Sequence, residues 1–217
     1  MQPTVICFSG KRKSGKDHIC FELKKLFKAE GAKVEIRSIS HPLKEQYARM
    51  HNLNFKELIS DGLYKENYRK EMNAWGEGVR NNDPSYFCSF IFKFLRVCFF
   101  SSITLLVAEH ASDIDILIVS DCRRPTDIEY FRTHFQRLVR VVTDLSVRES
   151  RGFSYTAGID DKDTECALDS FEGWDYIIEN NENYSEELFC STALYGQLKK
   201  LVSDITSGTD LKKNVFA

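Results

Sequence analysis

A chain of 217 residues, 42% of them apolar, is long enough to bury one hydrophobic core and short enough to need only one domain. Thirty Lys and Arg stand against 32 Asp and Glu, a formal charge of −2. That balance removes any bulk electrostatic case for nucleic acid or a membrane surface. Small-molecule partners and a monomer are expected.

The first element, "TVICFSG", is a short apolar run that ends at glycine, which predicts a buried strand feeding a loop. The loop "FSGKRKSGKD" meets the pattern G-x-x-x-x-G-K with Gly10, Gly15 and Lys16, but Asp17 stands where Ser or Thr is usual. A helix should follow, since Ile19, Cys20, Leu23, Leu26 and Phe27 form one apolar stripe that Gly31 can close. "KVEIRSIS" predicts a second strand with Val34, Ile36 and Ile39 in its core. Ser40 and Pro42 open a helical region that runs to about Phe92.

Residues 94–112 are an apolar stretch without motif chemistry. Its segment "VCFFSSITLLVA" is uncharged for 12 residues, whereas a spanning helix needs about 20. Ile114 to Ser120 form the strongest later strand, and "LVRVVT" and "DYIIEN" supply two more. "SEELFCSTALYGQLKKLVSDI" closes as a helix with Leu194, Leu198, Leu201 and Ile205 on one face, and the last dozen residues are expected to fray. Strands alternating with helices predict an α/β domain, a mostly parallel sheet with helices on both faces.

Seven cysteines show neither a C-x-x-C pair nor metal-ligand spacing. An odd count, with an N-terminus too short and strand-like for a signal peptide and a C-terminus lacking an S-K-L-type ending, points to the cytosol. His18, His41, His51, His110 and His134 share no spacing that suggests a metal site or a triad.

Four groups of residues carry chemistry. Strand, glycine-bounded loop and helix together make a phosphate cradle, with backbone N–H groups at the helix start and Lys16 to neutralise β- and γ-phosphate charge. Lys11, Arg12 and Lys13 sit between the two glycines, beside Ser14, and add positive charge there; as a basic run they also fit a nuclear signal. Asp17 has two readings, a magnesium carboxylate acting directly or through water, and a helix-start residue complementing the dipole. In "IVSDCRRPTD", Asp121 ends a strand and Arg123 and Arg124 follow at once, a pair suited to phosphate or carboxylate. The alternative is that Asp121 and Arg123 pair with each other or with a helix end.

Lys65, Arg69 and Arg80 fall on one face if their helix is continuous through Gly76 and Gly78, which places them toward an anion or toward solvent. Arg140, Arg148 and Arg151 surround a stretch bounded by Gly152 and Gly158, which fits either a closing lid over residues 144–166 or a charged surface loop.

These motifs resemble the animal-type phosphomevalonate kinases, members of the nucleoside monophosphate kinase fold group. The resemblance rests on "FSGKRKSGKD", "PLKEQYA", "YKENYRKEM", "WGE", "DPSYFC", "VSDCRRPTDI", "VRVV", "SRGF", "GIDD", "EC.LD" and "IEN", in the family's order from residue 8 to about 181. It implies a P-loop kinase with a mobile lid that transfers the γ-phosphate of ATP, with Mg2+, to mevalonate 5-phosphate in isoprenoid and sterol synthesis. By resemblance, residues Gly10 to Asp17 hold ATP together with Arg151 and Asn180. Lys44, Lys65, Arg69, Arg80, Arg123 and Arg124 are carried over to the acceptor side or cleft, and Arg140, Arg148 and Arg151 to arginines around the lid. Arg140 and Arg148 are also expected at the acceptor, and Asp17 and Asp121 at the metal, directly or through water. Residues 94–112 make this chain longer than the family pattern. A nucleoside monophosphate kinase, a kinase for a free hydroxyl using Asp121 as base, and a non-catalytic nucleotide-binding module remain as rivals.

Overall fold

The structure is a computed structural model that describes residues 3–60, 62–96, 114–132 and 136–208. From residue 97 on, the apolar stretch 94–112 lies outside the described residues, as do residues 209–217. Five strands form one parallel sheet: β1 (Thr4–Gly10), β2 (Val34–Arg37), β3 (Ile116–Val119), β4 (Gln136–Val142) and β5 (Tyr176–Glu179). Their order is β2-β3-β1-β4-β5, so the first strand of the chain lies at the centre.

Alternation along β1 divides the core in two. Ile6 and Phe8 face α1 (Lys16–Ala29) and the C-terminal helix, where Ile19, Leu23, Phe27, Leu194, Leu198 and Leu201 are buried together. Val5 and Cys7 face the other way, onto Phe87, Ile91, Ile128 and Phe131. Helices therefore cover both faces, as the near-continuous apolar runs of the strands require. Among the described residues, no helix is long and apolar enough to cross a membrane.

The expected second strand is shorter than read. β2 ends at Arg37, and Ile39, although buried, has left the sheet to enter the start of α2 (Ser40–His51). The reason is Asp121, whose carboxylate takes hydrogen bonds from the backbone N–H groups of Ile39 (2.6 Å) and Ser40 (3.0 Å) and bends the chain there. β3 likewise begins at Ile116 rather than Ile114.

The long helical region is four helices: α2, α3 (Phe55–Ile59), α4 (Leu63–Asn82) and α5 (Tyr86–Arg96). α4 runs unbroken through Gly76 and Gly78. Gly76 is buried against α2, where a Cβ atom would stand 2.5 Å from Leu43 Cδ1, so the missing side chain sets how closely the two helices approach. After β3 come α6 (Pro125–Phe131), then α7 (Leu145–Ser150) and α8 (Asp163–Cys166) beyond β4. The closing helix is divided. Glu186–Ser191 is a 3₁₀ turn, and α9 (Ala193–Gly208) starts where the Thr192 hydroxyl accepts the Tyr195 N–H at 3.1 Å.

Candidate active site

β1 delivers Gly10 to the carboxyl edge of the sheet, and the chain then turns through Lys13 and Gly15, with φ of 61° and 80°, before entering α1. Two left-handed residues in so short a loop turn successive N–H groups toward one point. Gly15 is required for space as well as φ, because a Cβ atom there would lie 2.3 Å from Asn180 Nδ2. The loop is braced from outside: the Ser14 carbonyl accepts hydrogen bonds from Asn180 Nδ2 (2.8 Å), Thr143 Oγ1 (3.1 Å) and Arg151 Nη1 (3.5 Å). Arg151 also donates to Asn180 Oδ1 at 3.3 Å, which orients that amide.

Ser14 Oγ is buried without a hydrogen-bond partner among the described residues, an atom that a ligand oxygen would satisfy. Lys16 is 8% exposed, and its ammonium touches Asp17 at 3.3 Å. The Asp17 side chain is 85% exposed, so its carboxylate has ample capacity left for another cation.

A cavity of about 1040 Å³ opens beyond the loop, at the carboxyl ends of β1 and β3. It gathers most of the residues expected there. Lys11, Arg12, Lys13, Ser14, Gly15, Lys16 and Asp17 of the loop line it together with Lys44, Lys65, Arg69, Arg80, Asp121, Arg123, Arg124 and Arg151. The single face predicted for Lys65, Arg69 and Arg80 is thus a face toward the cavity. His18 and His41 line it too, although no group of three or more His, Cys, Asp or Glu fit for a metal occurs among the described residues.

Four expected residues do not line the cavity. Gly10 and Asn180 shape the loop from behind, through the close approach of Gly10 to Ser14 and Val141 and the Asn180 hydrogen bond described above. Arg140 is spent on Ser9 Oγ and Asp169, each at 3.0 Å, and lies over the Trp174 ring. Arg148 donates to the Arg12 carbonyl at 2.8 Å and stacks on Phe153 at 4.0 Å. Both arginines hold the walls rather than form them.

Asp121 makes no ion pair with Arg123; it holds a helix end instead, the start of α2. Its oxygens accept from Ser38 Oγ (2.7 Å) and from Ile39 and Ser40, and the carboxylate is almost wholly buried. Burial pushes its pKa up, but Lys16 and the Ser38 hydroxyl outweigh burial, and the group lies below the ordinary carboxylate value. Arg123 instead meets Glu165 and the Thr164 carbonyl (2.9 Å), and Arg124 meets Glu77.

The segment after β4 supplies further counter-charges. Asp160 takes Arg12 at 2.8 Å, while Asp169 takes Lys11 at 2.5 Å as well as Arg140. Lys44 is half-buried near Lys65, Arg69 and Arg123; desolvation first, then these neighbours, hold its pKa below 10.5 against the opposing pull of Asp121.

The reading of the sequence missed Glu77, Glu165 and Asp127. The first two lie within the quoted "WGE" and "EC.LD" stretches, and their pairing with the arginines needs contacts between distant elements. Asp127 is 0% exposed, and only the short spacing R-R-x-x-D hinted at a helix-start carboxylate.

A parallel sheet with its central strand running into a glycine-bounded loop, a buried lysine at the helix start and a cation-lined cavity opposite define a P-loop kinase, an ATP-dependent phosphotransferase. The crystal structure of TT1252 from Thermus thermophilus has the same fold, with a TM-score of 0.50 at 13% identity over 96% of this chain and 98% of that one. The family model for phosphomevalonate kinase matches residues 8–137, a span from the loop past the arginine pair. The phosphomevalonate kinase of Drosophila melanogaster is 35% identical over 188 residues, 84% of this chain and 91% of that protein. The chain belongs to the phosphomevalonate kinase family.

Proposed function

We propose that the protein transfers the γ-phosphoryl group of ATP to (R)-5-phosphomevalonate, giving (R)-5-diphosphomevalonate and ADP. The observation that carries this reading is one cavity lined by a phosphate loop and by six further cationic side chains: Lys44, Lys65, Arg69, Arg80, Arg123 and Arg124. Two highly charged anions must meet there, and these cations offset their repulsion.

ATP lies along the loop with its β- and γ-phosphates at the N–H groups before α1 and at Lys16. Lys16 follows the γ-phosphoryl as charge shifts during transfer, which lowers the barrier more than it tightens binding. The acceptor phosphate rests against Arg80, Arg123 and Arg124, and the acceptor carboxylate lies toward Lys65 and Arg69. The attacking oxygen belongs to an already ionised phosphate, so no general base is needed. The engagement of Asp121 with Ser38, Ile39 and Ser40 fits that economy, because a carboxylate held this way is a poor base for a hydroxyl.

The residues fit a magnesium ion. Asp17 offers an exposed carboxylate beside Lys16, and Asp121, with three hydrogen bonds in place, serves only through water. Magnesium, when bound, neutralises part of the β- and γ-phosphate charge. Segment 144–166 closes as a lid, with Arg151 reaching the nucleotide. The protein works in the cytosol on the route to isoprenoids and sterols.

A coupled ADP-release assay tests this directly. Turnover with 5-phosphomevalonate and none with a panel of nucleoside monophosphates is expected. Turnover restricted to a nucleotide, or ATP binding without turnover of either acceptor, would replace the reading.

A further inference from the structure

Asp127 is the most deeply buried carboxylate near the cavity, yet it does not line it. It lies in the first turn of α6, and every one of its hydrogen-bond partners is a donor. Oδ2 accepts the backbone N–H of Arg123 at 2.9 Å and that of Arg124 at 3.1 Å. Oδ1 accepts Arg80 Nη1 at 2.8 Å and faces the Cys88 thiol at 3.4 Å. Arg80 belongs to α4, and its guanidinium also lies over the Phe87 ring at 5.2 Å.

A helix start needs one such acceptor, not a full carboxylate at zero exposure. Here a single charged group joins α4 to the turn after β3, the two elements that carry Arg80, Arg123 and Arg124. All three arginines line the cavity, and a planar donor fork recognises phosphate only at a set angle and distance. Arg80 has a side chain only 12% exposed, so without its partner it would be a nearly buried, uncompensated charge and would have to move.

We propose that Asp127 is a positioning residue for the acceptor phosphate: through Arg80 and the Arg123–Arg124 backbone it sets the three arginines as one unit. This rests on the acceptor site assigned above. The nucleotide loop belongs to other elements, and among the described residues it shares no hydrogen bond with Asp127, so the effect should be confined to one substrate.

Asp127→Asn keeps the size but points an amide NH2 at groups that can only donate. Its KM for 5-phosphomevalonate should rise about tenfold or more, with the KM for ATP unchanged within about twofold. Against an Arg80→Gln background the same substitution should cost at least about threefold less than in wild type, because its target is already gone. Equal factors in both backgrounds, or a rise in the KM for ATP, would overturn the proposal and leave the acceptor assignment standing.

Wild-type protein inert toward 5-phosphomevalonate would remove that assignment, and the proposal with it. Asp127→Ser keeps an oxygen for the helix start but cannot reach Arg80, so it should give the same split. Circular dichroism and thermal unfolding report whether each variant folds; if neither does, Asp127 is a core residue and the proposal is wrong.

Discussion

Lys16 reaches the cavity from a buried stem, and its value should lie in the transition state. Lys16→Met should lower kcat by about 10² to 10³ while the melting temperature stays near wild type, measured by steady-state kinetics beside thermal unfolding. Asp17→Asn is nearly isosteric but loses its charge; the magnesium concentration for half-maximal rate should rise by about tenfold or more, read from a metal titration at saturating ATP. An unchanged titration would leave Asp17 as a helix-start residue only. These two residues were legible because all the signals sit within ten consecutive positions. Asp127 was not, because its ion pair is with Arg80, 47 residues away, and period and spacing carry no record of such a contact. That Arg140 and Arg148 do not line the cavity was illegible for a related reason: an arginine beside a cavity has the same sequence signature whether it faces the cavity or braces its lining.

At the scale of elements, the strands were read well in position because burial on both faces leaves unbroken apolar runs. Their ends were read less well, since hydrogen bonds from elsewhere decide them, as Asp121 does for β2. The continuity of α4 was undecidable in sequence, because two glycines cost about 1 kcal/mol each in a helix and only packing against α2 repays the first. That packing can be tested. Gly76→Ala should be close to neutral, as gained helix propensity offsets a shift of the Leu43 tip. Gly76→Val should cost about 1–3 kcal/mol in urea unfolding and should weaken acceptor binding, since α4 also carries Lys65, Arg69 and Arg80. Wild-type stability and KM in the valine variant would show that the interface yields.

For the molecule as a whole, a charge of −2 hides a divided distribution. The cavity cations meet carboxylates from α4 and from the segment after β4, so the ligands enter by exchanging one set of anions for another. Lys44 records this exchange in protons. Its pKa is depressed by burial first, and a bound phosphate would raise it again. Between the depressed value and the ligand-bound one, acceptor binding should therefore take up a proton, and affinity should fall as pH rises through the pKa of the free group. Calorimetry in buffers of different ionisation enthalpy should show uptake that grows toward alkaline pH and disappears in Lys44→Gln; uptake that persists in the variant would place the proton elsewhere.

The central place of β1 in the sheet also governs how the chain can assemble as it is made. Thr4 to Cys7 align with Ile116 to Val119 on one side, and Val5 to Gly10 with Gln136 to Val141 on the other. β1 thus waits for its strand partners until more than a hundred residues later, with both of its edges unpaired in the meantime. Closing loops of that length precedes any gain from pairing, so refolding should be slow and prone to aggregation. For the same reason, nascent chains released before β4 has emerged should be captured by holdase chaperones.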